Sequence, residues 1–126
     1  MNKLTELLDR KDFVFLDGGM GTMLQALGIE TEHVPEMLNL TDPASIMKIN
    51  RMYAESGWDI VYANTFGANR FKYDHLQEIV EAAVKNAKKA AEECGRNAYV
   101  ALDLGPTGKL LKPMGTLDFE EAVSVY

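Results

Sequence analysis

The 126-residue chain holds a single cysteine, Cys94. One thiol excludes an intramolecular disulfide and any multi-cysteine zinc site built within one chain. Basic residues are also in short supply: 13 Lys and Arg face 19 Asp and Glu, for a net charge of -6. That balance argues against a nucleic-acid backbone or an anionic membrane surface as the main partner, because both call for a basic face. No apolar run approaches the roughly 20 residues of a membrane span. The opening Met1-Asn2-Lys3-Leu4-Thr5-Glu6 reaches an acid within a few residues and lacks the apolar core of a secretion signal. A soluble, reducing, cytoplasmic setting is therefore expected, in which the Asn39-Leu40-Thr41 sequon stays unglycosylated. The remaining composition is that of a globular protein. Apolar residues make up 47% and charged residues 25%, which argues against disorder, and the length suits one domain, 1–126.

Hydrophobic spacing sets the order of elements. Leu4, Leu7 and Leu8 suggest a short opening helix. Phe13-Val14-Phe15-Leu16 is a continuous apolar run, as in a parallel strand buried on both faces. Met23, Leu24 and Leu27 mark a short helix ended by Gly28, and Ile29 to Leu40 has the mixed polarity of a loop. Asp42-Pro43 is a helix start, with a capping carboxylate before a proline at the first turn. Ile46, Ile49 and Tyr53 share a face, and Gly57 is a natural stop. A second strand is expected at Asp59 to Ala63. Asp74 and Gln77 have capping-box spacing before a helix with Leu76, Ile79, Val80, Ala83, Val84, Ala87, Ala91 and Cys94 on one face. Glu81 and Lys85 add an i,i+4 pair, and Gly95 ends the helix. A third strand is expected at Tyr99 to Leu102. Asp118 and Glu121 open a last helix with Phe119, Ala122, Val123 and Tyr126 on one side.

This β-α-β-α-β-α alternation predicts parallel strands joined by right-handed crossovers. It fits a doubly wound sheet or the opening part of a (β/α)8 barrel, and three strands complete neither. A whole barrel takes about 250 residues, and no stop signal follows the last helix, so a part of something larger is expected.

In both architectures ligands bind beyond the carboxyl ends of the strands. The segments there are Asp17 to Thr22, Asn64 to Asn69 and Asp103 to Gly108. All are rich in Gly, Asn, Asp and Thr. Glycines allow close backbone approach, free N–H groups can hold a carboxylate, and Asp17 can hold an amino group. Ordinary strand-to-helix turns favour the same residues, but three such segments at equivalent positions favour binding. Gly18-Gly19-Met20-Gly21-Thr22 lacks the ending of a phosphate loop and does not match the dinucleotide fingerprint. His33 and Glu36 have no partner pair at metal-ligand spacing and are expected to be solvated loop residues. Cys94 is expected to be a small buried thiol.

Leu16-Asp17-Gly18-Gly19-Met20-Gly21-Thr22-Met23-Leu24 resembles the first-strand motif of the homocysteine S-methyltransferase family. Asn39-Leu40-Thr41, the run from Asp59 to Asn69, and Leu104-Gly105-Pro106 resemble its later motifs, in the same order and spacing. Within the family the likeness is greatest to the N-terminal homocysteine module of the cobalamin-dependent methionine synthases. The resemblance implies a (β/α)8 barrel, incomplete here after three strands, that binds homocysteine through zinc. The metal lowers the thiol pKa so that the thiolate takes a methyl group and becomes methionine. In the cobalamin branch methylcobalamin is the donor, recharged from methyltetrahydrofolate by other modules. Carried over by position, Asp17, Gly18 and Gly19 border the amino acid group of homocysteine. Asn64 and Thr65 stand at the second strand end, and Asp103 and Gly105 at the third. The family's zinc ligands are three cysteines on later strands, and Cys94 matches none of them.

Two functional readings follow. In one, the chain is the first part of a methyltransferase barrel, inactive alone, binding neither zinc nor cobalamin tightly. Its partners are then homocysteine, the remaining modules of the enzyme, and other copies of itself through open sheet edges. In the other, it is a small stand-alone α/β binding or assembly module without catalysis.

Overall fold

The computed structural model describes residues 3–31 and 34–126, so the expectation for His33 lies outside the described residues. Helix α1 (Lys3–Arg10) opens the chain. Helix α2 (Met20–Ala26) follows the first glycine segment and ends before Gly28, whose φ of +71° suits glycine. The stretch expected to be loop carries a 3-10 turn at Pro35–Met37 and a one-turn helix, α3 (Leu38–Thr41). Helix α4 (Pro43–Glu55) starts as expected: Asp42 accepts from the Ser45 N–H at 3.2 Å, and Pro43 fills the first turn. Strand β1 (Ile60–Tyr62), helix α5 (Leu76–Glu93), strand β2 (Tyr99–Ala101) and helix α6 (Phe119–Val125) complete the order.

The two strands are parallel, with Ile60 opposite Tyr99, Val61 opposite Val100 and Tyr62 opposite Ala101. On the other side of β1, Leu16 makes a parallel bridge to Ile60. Phe15 O accepts from the N–H groups of Asp59 and Ile60, and Asp17 N–H donates to Ile60 O at 3.0 Å. The three strand regions thus run side by side in chain order, with β1 between the others, and their carboxyl ends face one way.

Two apolar clusters hold these elements. Leu24, Ile46 and Ile49, all fully buried, pack α2 on α4, with Met20, Met23, Leu27, Ile29, Leu38 and Tyr53 around them. Ala63, Ala83 and Ala87 pack α5 on the sheet, beside Val84 and Val100. Alanines on that face let the helix backbone approach the strands closely.

Several local expectations are corrected. Phe13 to Leu16 is not a strand buried on both faces: Phe13 is 75% exposed and Phe15 53%, and only Leu16 pairs. The run is a sheet edge with β1 as its strand neighbour, and Phe13, Phe15 and Leu16 stay exposed although Phe15 meets the Trp58 ring edge-on. No capping box forms at Asp74: His75 is the N-cap without a side-chain bond, and Gln77 donates to Glu81 at 2.8 Å instead. Glu81 is so engaged within its own helix, and the ion pair on α5 at i,i+4 spacing is Lys89 with Glu93. On α6 the expected apolar face is turned outward, with Phe119 and Val123 exposed, and Val125 is the buried residue. Cys94 is half-buried rather than enclosed and donates to Ala91 O.

Candidate functional site

At the carboxyl ends of the strands lies a cleft of about 330 Å³. Asp17, Gly18 and Gly19 form one side, Asn64, Thr65 and Phe66 the floor, and Asp103 the far side, with Pro35 and Glu36 closing the wall. Six of the seven residues expected at the site therefore meet in one place. Gly105 does not reach the cleft wall. It is buried behind the second segment, where an added Cβ would come within 2.0 Å of Phe66 O, and its carbonyl accepts from the Tyr126 hydroxyl. A larger hollow, about 640 Å³, runs along the outside of α5 between Val80, Val84 and neighbouring Lys and Glu side chains. It gathers nothing from the strand ends, nor does a hollow of about 790 Å³ between Arg70, Tyr73, Leu76 and Tyr126, so the smaller cleft is the one that the expected site residues line.

Asp17 is the most perturbed group in it. Oδ2 accepts from the Tyr62 N–H at 3.0 Å, whereas Oδ1 is buried with no hydrogen-bond partner. Burial pushes its pKa up to about 6; the Tyr62 N–H opposes this and the nearby Asp103 carboxylate adds to it. A carboxylate held in this way attracts a cation. Behind the glycine segment, the Tyr53 hydroxyl of α4 donates to Gly19 O at 3.2 Å. A Cβ on Gly18 would lie 3.0 Å from the Tyr53 hydroxyl oxygen, so the close approach favours glycine there. Burial, with Asp17 adding, raises the Tyr53 phenol above its ordinary value.

The segments are tied to one another. Thr65 Oγ1 donates to Asp103 O at 2.8 Å and accepts from Asp103 N–H at 3.0 Å. Asn39 Nδ2 donates to Asn64 O and to Glu36 O, and Asn64 Nδ2 donates to Pro35 O, all at 2.8 Å.

Glu36 overturns its expectation. Instead of a solvated loop residue it is 2% exposed. Oε1 accepts from Gly67 N–H at 2.7 Å, and Oε2 accepts from Lys72 Nζ at 3.1 Å and from the Tyr73 hydroxyl. Burial alone would raise its pKa, but the Tyr73, Lys72 and backbone donors outweigh it and hold the carboxyl below the ordinary range. Tyr73 is pushed up in return, by burial first and then by Glu36. Sequence reasoning missed Glu36 and Tyr53 as parts of the site. Tyr53 had only an apolar-face signal, and the donors to Glu36 lie 31 to 37 positions away, beyond any local pattern.

The model of the homocysteine S-methyltransferase family matches residues 14–126. The chain belongs to this family. Among curated proteins it is 34% identical to methionine synthase of Mycobacterium tuberculosis over 123 residues, 84% of this chain. It is 32% identical to that of Mycobacterium leprae over 125 residues, 87% of the chain. In each case it spans 10% of the relative's length. Among solved structures, the metallated form of the homocysteine methyltransferase MmuM from Escherichia coli superposes with a TM-score of 0.73 at 25% identity. That match covers 85% of this chain and 42% of MmuM. The apo form gives a TM-score of 0.68 at 27% identity.

The zinc that the family resemblance implies does not fit the donors found here. A thiolate site needs several soft ligands, and the one thiol, Cys94, lies at the end of α5 bonded to Ala91 O at 3.0 Å. The cleft residues carry three carboxylates, the hydroxyls of Tyr62 and Thr65, the amide of Asn64 and the thioether of Met20. Among the described residues no three His, Cys, Asp or Glu side chains converge as a metal site. No helix among the described residues is long and apolar enough to cross a membrane.

Proposed function

We propose that this chain is the opening part of a zinc-dependent homocysteine S-methyltransferase barrel of the methionine synthase type. Residues 1–126 supply its first three strand positions and the amino acid side of the homocysteine site. One observation carries the reading: in a chain of this family, Asp17, whose Oδ1 is buried without a hydrogen-bond partner, lines a cleft formed by three strand-end segments. An α-ammonium in the cleft gains a charge-assisted hydrogen bond to the Asp17 carboxylate once a small side-chain rotation turns an oxygen toward it. Gly18 and Gly19 leave space for the ligand backbone, and Asn64, Thr65 and Asp103 border the same group.

This chain's own contribution is to bind and orient; activation of the thiol and supply of the methyl group belong to residues outside it. Zinc and cobalamin act with those other parts, and neither binds this chain tightly. Alone it forms no methionine, with or without added zinc. The setting is cytoplasmic. Exposed Phe13, Phe15 and Leu16 at one sheet edge, and Leu102 and Leu104 beyond the other, favour self-association when the rest of the barrel is missing. A clean monomer by light scattering at tens of micromolar would count against that association.

The functional test joins the chain in frame to the remaining strands of a homocysteine S-methyltransferase barrel. Methionine formation is expected in the joined protein, and Asp17→Ala should reduce it. A folded joined protein without activity, or one indifferent to Asp17→Ala, would overturn the reading.

A further inference from the structure

The strand-end segment Asn64 to Gly67 is irregular backbone at the floor of the cleft, yet few of its polar groups are loose. Its amino end is held by Asn39, and Thr65 links it to Asp103. Its carboxyl end is held by Glu36, whose Oε1 accepts from Gly67 N–H at 2.7 Å. The carboxylate lies so close that a Cβ on Gly67 would come within 2.6 Å of Oε1 and 2.9 Å of Lys72 Nζ. Gly67 is not among the glycines with positive φ. Close packing by the carboxylate, not backbone conformation, is therefore what favours glycine there.

A buried carboxylate is costly unless it is paired and hydrogen-bonded. Here the compensation comes from one stretch of chain, Gly67 to Tyr73, folded around the acid. The acid itself sits on the 3-10 turn that closes the cleft wall. We infer that Glu36 is a positioning residue: its carboxylate anchors the Gly67 to Tyr73 stretch and so sets where Asn64 and Thr65 stand relative to Asp17 and Asp103. The inference rests on the proposed homocysteine site for its functional consequence, but the anchoring is testable without ligand.

Glu36→Gln tests it. The amide oxygen can still accept from Gly67, but the amide nitrogen is a donor facing Lys72 and Tyr73, so the cluster no longer matches. Amide hydrogen exchange by NMR, on the full chain without ligand, should speed up at least about tenfold at Gly67 and Thr65. Exchange in the core of α4 should stay within about twofold. Gly67→Ala approaches the contact from the other side, by displacing the carboxylate, and serves if Glu36→Gln does not fold. It should loosen the same amides.

In the second arm, methionine affinity of the folded variants should fall about tenfold at a temperature well below Tm. Ile79→Val, a mild change at a fully buried α5 position that makes none of the cluster's hydrogen bonds, is the control that loses stability without losing affinity. Unchanged exchange at Gly67 and Thr65 in both variants overturns the positioning role, whether or not the cleft binds an amino acid. Faster exchange with unchanged affinity overturns it too, because the segment is then anchored to no effect on the site. If the wild type binds neither methionine nor homocysteine while exchange does speed up, the anchoring stands and the proposed substrate falls.

Discussion

Ligand binding at Asp17 should depend on pH in a way set by its surroundings. Oδ2 is engaged by the Tyr62 N–H, Oδ1 is buried without a partner, and burial lifts the carboxyl to about 6. A group with that pKa is about one-tenth ionised at pH 5 and about nine-tenths at pH 7. An α-ammonium is attracted by the carboxylate and not by the neutral acid. Affinity should therefore be about tenfold greater at pH 7 than at pH 5, or about 1.4 kcal/mol. Methionine is the informative ligand, because it has no thiol to titrate and keeps its ammonium and carboxylate charges across this range. Isothermal titration at both pH values gives Kd. Repeating the pH 5 titration in buffers of different ionisation enthalpy gives the protons released, about one per ligand if the ammonium draws the Asp17 pKa down. Asp17→Asn should bind weakly and equally at both pH values. A flat wild-type profile with measurable binding, or a slope that survives in Asp17→Asn, would refute the role given to Asp17.

The same carboxyl leaves a mark on stability. Its folded pKa of about 6 lies above the ordinary 3.8, so the folded chain holds the proton more tightly. The stabilisation is complete below pH 3.8 and is lost as pH rises through 6. Asp17→Asn should thus raise Tm at pH 7.5 relative to the wild type and lose that advantage near pH 4; an equal offset at both would contradict it. Ile49→Ala, which removes a fully buried side chain between α2 and α4, should cost about 2–5 kcal/mol in urea unfolding, and a cost under about 1 kcal/mol would mean the cluster is loosely packed. Gly105→Ala places a Cβ 2.0 Å from Phe66 O, so backbone must move; Tm should fall, and an unchanged Tm would argue against the close approach.

Legibility followed sequence distance. Asp42-Pro43 and Gly57 mark the ends of α4 because capping and stop signals act within a few residues, and both appear in the structure. The strand-end segments were legible as well, since the β-α alternation alone puts Asp17, Asn64 and Asp103 at one end. Phe13 to Leu16 misled because an apolar run records what the chain is suited to bury, not whether a neighbour is present to bury it. The face of α6 misled for the same reason. Glu36 was out of reach: its burial depends on Gly67, Lys72 and Tyr73 folding back over it, and no local spacing encodes that. Asp17 could be named from its motif, but its raised pKa needed the positions of Tyr62 and Asp103.

The most direct test of the homocysteine site is an NMR titration of the 15N-labelled chain with L-homocysteine under reducing conditions at pH 7. Saturable shifts are expected at the amides of Gly18, Gly19, Thr65 and Asp103, with none along the outer face of α5, and Asp17→Asn should move their midpoint to higher ligand concentration. Shifts confined to the α5 hollow, or none in the strand-end segments at millimolar ligand, would contradict the site.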